Sequence, residues 1–251
     1  MAKAKTAISF GLVHIPVDLN PVIKNNDASF NQLHKKCGSR IKYQKICPHC
    51  HVEVQHKDIV KAYEYVKDEY ITFEDEELNQ LKTEADNQIE IISFVNLKEI
   101  DPIYFEKSYY LTTTGNVKAF GLFKKALNDA KKVAIARAYI NNKLYYVVLR
   151  FGQDNIIMNT LYYEEEIRLS TVTVEEEYSK AEVELASQLI ESMSGKFNPN
   201  DYVDDYQNRI KEAIQEKVDG KKVKAVKKKA PKKNISDLMQ ALQLSLKEAK
   251  K

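Results

Sequence analysis

Near Leu169 the hydrophobic period of the chain changes, and that switch limits the fold more than any other feature. Before it, from Ile8 to Tyr163, apolar residues fall in short β-branched and aromatic runs: ISFGLVHIPVDL, AYEYVKDEYITF, QIEIISFV, KSYYLTTT, VAIARAYI, KLYYVVLRF and DNIIMNTLYY. Turns rich in Gly, Asn, Asp and Lys, such as INNK at 140–143, separate them. Many short strands in one segment point to a barrel or a sandwich. A helix interrupts them, because Val117, Phe120, Phe123, Leu127 and Ala130 recur at three-to-four spacing. After Leu169 the spacing is helical throughout. Thr173-Val-Glu-Glu176 has the form of a capping box, and Tyr178, Ala181, Leu185, Leu189 and Met193 make a stripe that Gly195 ends. Asn198-Pro199 predicts a second helix, with Tyr202, Tyr206, Ile210, Ala213 and Ile214 as its apolar face and Gly220 as its stop.

Charge is distributed as unevenly as periodicity. Residues 217–251 hold twelve of the 39 basic and three of the 36 acidic residues. The last 35 residues are therefore about +9 and the body about −6. Eight lysines lie in KKVKAVKKKAPKK, Lys221 to Lys233, with no acid among them. Such a tract buries no apolar surface and is expected to be a disordered tether. Beyond it, Ile235, Leu238, Met239, Leu242, Leu246 and Ala249 give NISDLMQALQLSLKEAKK an amphipathic pattern, on a helix too short to be stable alone in water.

The composition, 43% apolar and 30% charged over 251 residues, suits a water-soluble chain with a sizeable core. No run approaches the ~18 apolar residues of a membrane span. The opening MAKAKTAISFGLVHIPV is interrupted by His14 and Pro16 and has no small-residue cleavage site, so it does not read as a signal peptide. Three cysteines clustered in residues 37–50 fit a reducing compartment better than a disulfide scaffold. The expected location is the cytoplasm, at the nucleoid. A search for catalytic motifs finds no Gly-rich phosphate loop and no G-x-S-x-G elbow. Asp204-Asp205 and Glu164–Glu166 read as solvated faces, and no spacing demands the convergent carboxylates of a metal-dependent nuclease. The expectation is a protein that is not an enzyme.

Two sets of residues carry binding chemistry. In His34-x2-Cys37-x9-Cys47-x2-Cys50, two close pairs of ligands flank a short loop, the form of a tetrahedral zinc site within residues 34–56. Cys47-Pro-His-Cys50 is the stronger half. His34 is one candidate fourth ligand; His49 and His51 are others. With every position filled by protein, the ion would be structural. The second set is basic. Lys35, Lys36, Arg40, Lys42 and Lys45 surround the metal loop, Lys124, Lys125, Lys131 and Lys132 decorate the first helix, and Arg137, Lys143 and Arg150 lie on neighbouring strands. A net-acidic body binds a polyanion only by gathering its cations on one surface. The tail lysines bind one by counterion release, without reading sequence.

Five segments carry a resemblance to a known family: ISFGLVHIPV (8–17), IVKAYEYVKDEYITFEDEEL (59–78), EIDPIYFEKSYYL (99–111), KKVAIARAYI (131–140) and ELASQLIESMSGKFNPNDYVDDYQNRIKEAIQEKVDGK (184–221). In this order they strongly resemble the bacterial Ku proteins. Two departures stand out: Lys5-Thr6-Ala7 replaces the family's usual Trp-Lys-Gly, and Ala62 its usual Gly. The full cysteine set is not universal in the family, so the zinc reading stands apart from the resemblance.

The resemblance implies a mixed, mainly β fold. A Ku-type β-barrel core would span 1–170, a helical dimerisation arm 171–220, and a Lys-rich tether with a short helix 221–251. It implies a homodimeric ring that threads double-stranded DNA ends and recognises backbone, not bases. It further implies recruitment of a multifunctional ATP-dependent ligase for non-homologous end joining. The residues expected to line the channel are Arg40, Lys42, Lys45, Lys107, Arg137, Lys143 and Arg150. Lys221, Lys222, Lys224, Lys227, Lys228, Lys229, Lys232 and Lys233 would hold adjacent duplex. The competing reading is a general nucleic-acid-coating or RNA-binding protein that acts through its basic tail.

Overall fold

The computed structural model describes residues 4–81, 88–113, 115–140, 143–168, 178–223 and 238–249. The chain divides into two compact units, one of residues 1–25 and 31–169, the other of 26–30 and 170–251.

In the first unit seven strands close into a barrel: β1 (Ala4–Phe10), β2 (Val13–Pro21), β5 (Ile89–Val95), β6 (Phe105–Thr112), β7 (Val133–Ile140), β8 (Lys143–Gly152) and β9 (Asn155–Leu161). Their order around the barrel is β1-β2-β6-β9-β8-β7-β5. Every pairing is antiparallel except the one that closes it, β1 beside β5 through Ile8↔Ile89 and Ser9↔Glu90. Alternation explains the core. Ile8, Ile15, Val17, Leu19, Leu111, Ile156 and Met158 point inward and are buried. On β7 the inward residues are Ala134, Ala136 and Ala138, opposite Leu149, Val147 and Tyr145 of β8. Small side chains facing large ones let a narrow barrel fill without voids. Helix α2 (Val117–Ala130) adds Phe123 and Leu127 to the same cluster, with Ala119 and Phe120 packed against it.

Two of the expected strand runs are hairpins. ISFGLVHIPVDL breaks at Gly11 (φ +57), whose positive dihedral opens a two-residue turn between Phe10 and Val13. AYEYVKDEYITF breaks at Asp68 (φ 66) into β3 (Lys61–Val66) and β4 (Glu69–Phe73), a separate ribbon whose β3 is exposed along its length. Helix α1 (Asp75–Gln80) follows it behind a capping box from Glu74 and Glu77. The INNK turn lies partly outside the described residues, since 141–142 are not among them.

In the second unit, helix α3 (Lys180–Met193) starts later than the Thr173 pattern predicts. Ser179 is extended, and its hydroxyl accepts from the N–H of Glu182 while the Glu182 carboxylate accepts from the N–H of Ser179, at 2.8 Å. The Thr173–Glu176 segment itself lies outside the described residues. The helix expected from Pro199 is a single 3-10 turn, Pro199–Asp201. The α-helix, α4 (Asp205–Val218), begins only where Asp204 accepts the N–H of Gln207 at 2.9 Å. Gly220 (φ +73) does end it: the N–H groups of Gly220 and Lys221 reach back to the carbonyls of Lys217 and Glu216. Residues 26–30 join this unit through Gln207, which accepts from the N–H of Ala28 and donates to Asp27. Helix α5 (Leu238–Ala249) lies along α3, with Met239, Leu242 and Leu246 half-buried and Leu185, Ala186 and Leu189 half-buried on α3.

Candidate nucleic-acid interface

The four barrel-borne cations do not share one surface. Lys107 on β6 and Lys143 at the start of β8 belong to one electrostatic cluster. The Lys107 ammonium lies 3.0 Å from Glu106 and that of Lys143 lies 3.2 Å from Glu166. Both feel Glu106 and Tyr145, and Lys143 sits 5.1 Å over the Tyr145 ring. Hydrogen bonds to these carboxylates hold both ammonium groups above the usual lysine range. In turn, the N–H of Tyr163 and then Lys143 hold the Glu166 carboxyl below its usual range. The cluster is anchored from inside the barrel. Buried Thr160 accepts the N–H of Lys107 at 3.0 Å and donates to Glu106 at 3.1 Å.

Arg137 and Arg150 are on the outer wall. Arg137 on β7 is directly opposite Glu90 on β5, and its Nε donates to that carboxylate at 2.7 Å. Arg150 is half-buried. Its Nε donates to Asn159 Oδ1 at 2.9 Å, and the Asn159 amide donates to Ser108 Oγ at 2.7 Å. With Lys98, Ile100, Pro102 and Phe105, Arg150 and Asn159 line an open cleft of about 470 Å3. Sequence reasoning missed Asn159, Thr160 and Glu106, which position the cations. Asn159-Thr160 is nonetheless a visible break in the apolar run IIMNTL.

Arg40, Lys42 and Lys45 are exposed on a third region, the segment between β2 and β3. It has two isolated bridges, Leu33↔Arg40 and Ile46↔Glu53, and each encloses one expected ligand pair. His34 Nδ1 is 3.1 Å from Cys37 Sγ. Contacts from Ser39 and then His34 lower the Cys37 thiol to about 7, and the backbone N–H groups of Cys50 and His49 lower that of Cys47. Cys50 is raised by its neighbour Cys47. The four expected ligands are not gathered into one site: among the described residues no group of three His, Cys, Asp or Glu side chains is placed to hold a metal ion. Of the tail lysines, Lys221 and Lys222 are exposed, with Lys221 3.3 Å from Asp219. Lys224, Lys227, Lys228, Lys229, Lys232 and Lys233 lie outside the described residues.

Comparison with known proteins gives this arrangement a lineage. Residues 9–187 match the family model described as the Ku70/Ku80 beta-barrel domain. The chain is 38% identical to the Non-homologous end joining protein Ku of Lachnoclostridium phytofermentans, over 100% of this chain and 98% of that one. It is 40% identical to the protein of the same name from Desulfitobacterium hafniense, over 96% of this chain and 86% of that one. The corresponding figures for the Bacillus subtilis Ku are 36%, 96% and 80%. The chain belongs to the Ku family. The barrel expected from the Ku resemblance is the barrel observed, and a Ku helical region follows it. Among the described residues, no helix of this Ku chain is long and apolar enough to cross a membrane.

Proposed function

We propose that the protein binds double-stranded DNA ends as a homodimeric ring, without catalysis of its own, and recruits an ATP-dependent ligase for non-homologous end joining. The observation that carries this reading is the likeness to Ku proteins named for that process along the whole chain. The geometry is consistent with it. The arm leaves Ile190, Met193, Phe197, Tyr202 and Tyr206 largely exposed, and a second copy of the chain would cover such a self-complementary face. Of the cations on the barrel, Lys107, Arg137 and Lys143 pair with carboxylates that phosphate oxygens can replace. Recognition is then of backbone and shape, and the site of action is the cytoplasm at the nucleoid. We include in this reading a structural zinc ion held by the Cys/His segment.

The test compares one duplex sequence in linear and covalently closed circular form, by gel shift at near-physiological salt. A threaded ring binds the linear form alone and is trapped when that DNA is circularised afterwards. Equal binding to both forms would overturn the ring and favour a protein that coats nucleic acid through its basic tail.

A further inference from the structure

The cleft beside β8 holds a cation that the fold positions closely and leaves without a counter-ion. Two short 3-10 turns, Leu97–Glu99 and Pro102–Tyr104, carry much of its lining. Leu97, Ile100, Pro102 and Phe105 supply apolar walls, and Lys98, Arg150 and Asn159 are its polar residues. Its volume of about 470 Å3 lies within the ~300–1,000 Å3 of ordinary ligand sites.

Two features fix the Arg150 guanidinium. The first is its Nε donation to Asn159, a residue only 6% exposed whose amide is held in turn by Ser108. The second is Gly152. Its φ is not positive, so backbone conformation does not call for glycine there. Space does: a Cβ at that position would lie 2.9 Å from Arg150 Nη1 and 3.1 Å from Ile157 Cδ1.

This placed guanidinium has no carboxylate. Among the described residues, neither Arg150 nor Lys98 lies within ion-pair distance of an acid. The acids nearest the walls in sequence are committed to the backbone. Glu99 accepts the N–H of Asn96 at 3.2 Å, and Asp101 that of Ile103 at 2.9 Å. With Nε taken, the two Nη groups keep their donors for an outside ligand. A half-buried cation against apolar walls favours a ligand that brings a carboxylate and apolar groups together. Duplex DNA presents its charge in a regular row and offers little apolar surface to cover such walls.

We propose that this cleft is a docking site for a peptide segment of a partner protein, one in which an Asp or Glu lies between apolar side chains. The acid meets the Nη groups of Arg150 end-on, with Lys98 adding positive charge. The flanking side chains cover Leu97, Ile100, Pro102 and Phe105.

The test selects a random peptide library on the full-length protein, with counter-selection on Leu97→Glu. Leu97 is 44% exposed, so this change spares the core while placing an acid in the cleft. Peptides that bind only the lysine tail are removed by that step. The recovered peptides should share an acid flanked by apolar residues. Changing that acid to its amide should weaken binding about tenfold or more, measured by fluorescence anisotropy. Arg150→Lys, which keeps the charge and loses the planar fork, should do the same. Recovery of no such consensus would overturn the proposal. Displacement of the peptides by duplex DNA would also overturn it, and would make the guanidinium a phosphate contact. A wild-type dimer that Leu97→Glu converts to monomer in sedimentation would mean that a second copy of the chain fills the cleft, and the peptide site would fall.

Discussion

At the scale of single residues, several side chains sit where the backbone would prefer another. Lys131 ends α2 in the left-handed region (φ 51), a conformation that costs a side-chain-bearing residue roughly 1–2 kcal/mol and glycine almost nothing. Lys131→Gly is therefore expected to stabilise the barrel by about 1 kcal/mol, measured as a rise in the thermal unfolding midpoint. Gln153 (φ 49) and Asp154 (φ 56) make a two-residue turn of the same hand between β8 and β9. Sequence reasoning placed both strands there although no Asn-Gly marked the turn. Arg150 illustrates a residue whose type was legible and whose environment was not. A basic residue in a strand of a nucleic-acid-binding protein reads as a phosphate contact, yet its Nε is committed to buried Asn159. Arg150→Ala removes that donor from Asn159 and is expected to cost about 1–2 kcal/mol of stability. Unfolding in urea and the salt dependence of DNA binding separate the two roles, and the larger change is expected in the first.

At the scale of elements, the strands were readable because β-branched and other apolar residues cluster in short runs, as in Val147–Leu149 or Ile156–Met158, which are buried throughout. The hairpin corners were not: at Gly11 the apolar pattern continues through the turn and only a positive φ interrupts it, while at Asp68 the polar break Lys67-Asp68-Glu69 is short enough to read as part of one strand. The start of α4 was missed for a different reason. Asn198 and Asp204 are both competent caps, and sequence alone does not rank them; the structure gives the first a single turn and the second the helix. The candidate interface was legible as a set of cations and illegible as a surface, since the cross-strand partners of Arg137 and Arg150 depend on register and Lys143 finds its partner beyond the strands. Arg137 faces Glu90 only because β7 pairs with β5 in one alignment. That pair is exposed on both sides, so it contributes little to stability. Glu90→Gln is expected to leave the unfolding midpoint within a degree or two while tightening DNA binding up to about fivefold, the range a freed surface ion pair allows. An unchanged affinity at low salt would mean that Arg137 does not touch DNA.

At the scale of the molecule, charge is split between a body of about −6 and an end of about +9. Such a chain positions itself through a few well-placed cations and gains most of its non-specific affinity from the end. Removing residues 221–251 is expected to weaken DNA binding and flatten its salt dependence, by about 0.9 in the log–log slope for each lysine that had engaged a phosphate. Sedimentation should show the oligomeric state unchanged, because the exposed apolar residues of α3 and the 197–206 segment precede the cut. A truncated protein with the full salt slope would refute the tether.

The barrel itself carries a consequence for how the chain comes to be made. Six of its seven seams join antiparallel neighbours, and the seventh is two residue pairs long. That last seam links Ile8 to Ile89, which leaves the ribosome only after the whole segment that carries the Cys/His turns and the β3–β4 ribbon. The nascent protein must therefore wait with an open edge on β1 until that excursion has been translated, and closing the cylinder is an act of long-range recognition. The same arrangement lets the excursion change length at small entropic cost, because doubling a closed loop adds only about 0.6 kcal/mol. It also makes β1 against β5 the place where a finished barrel parts first.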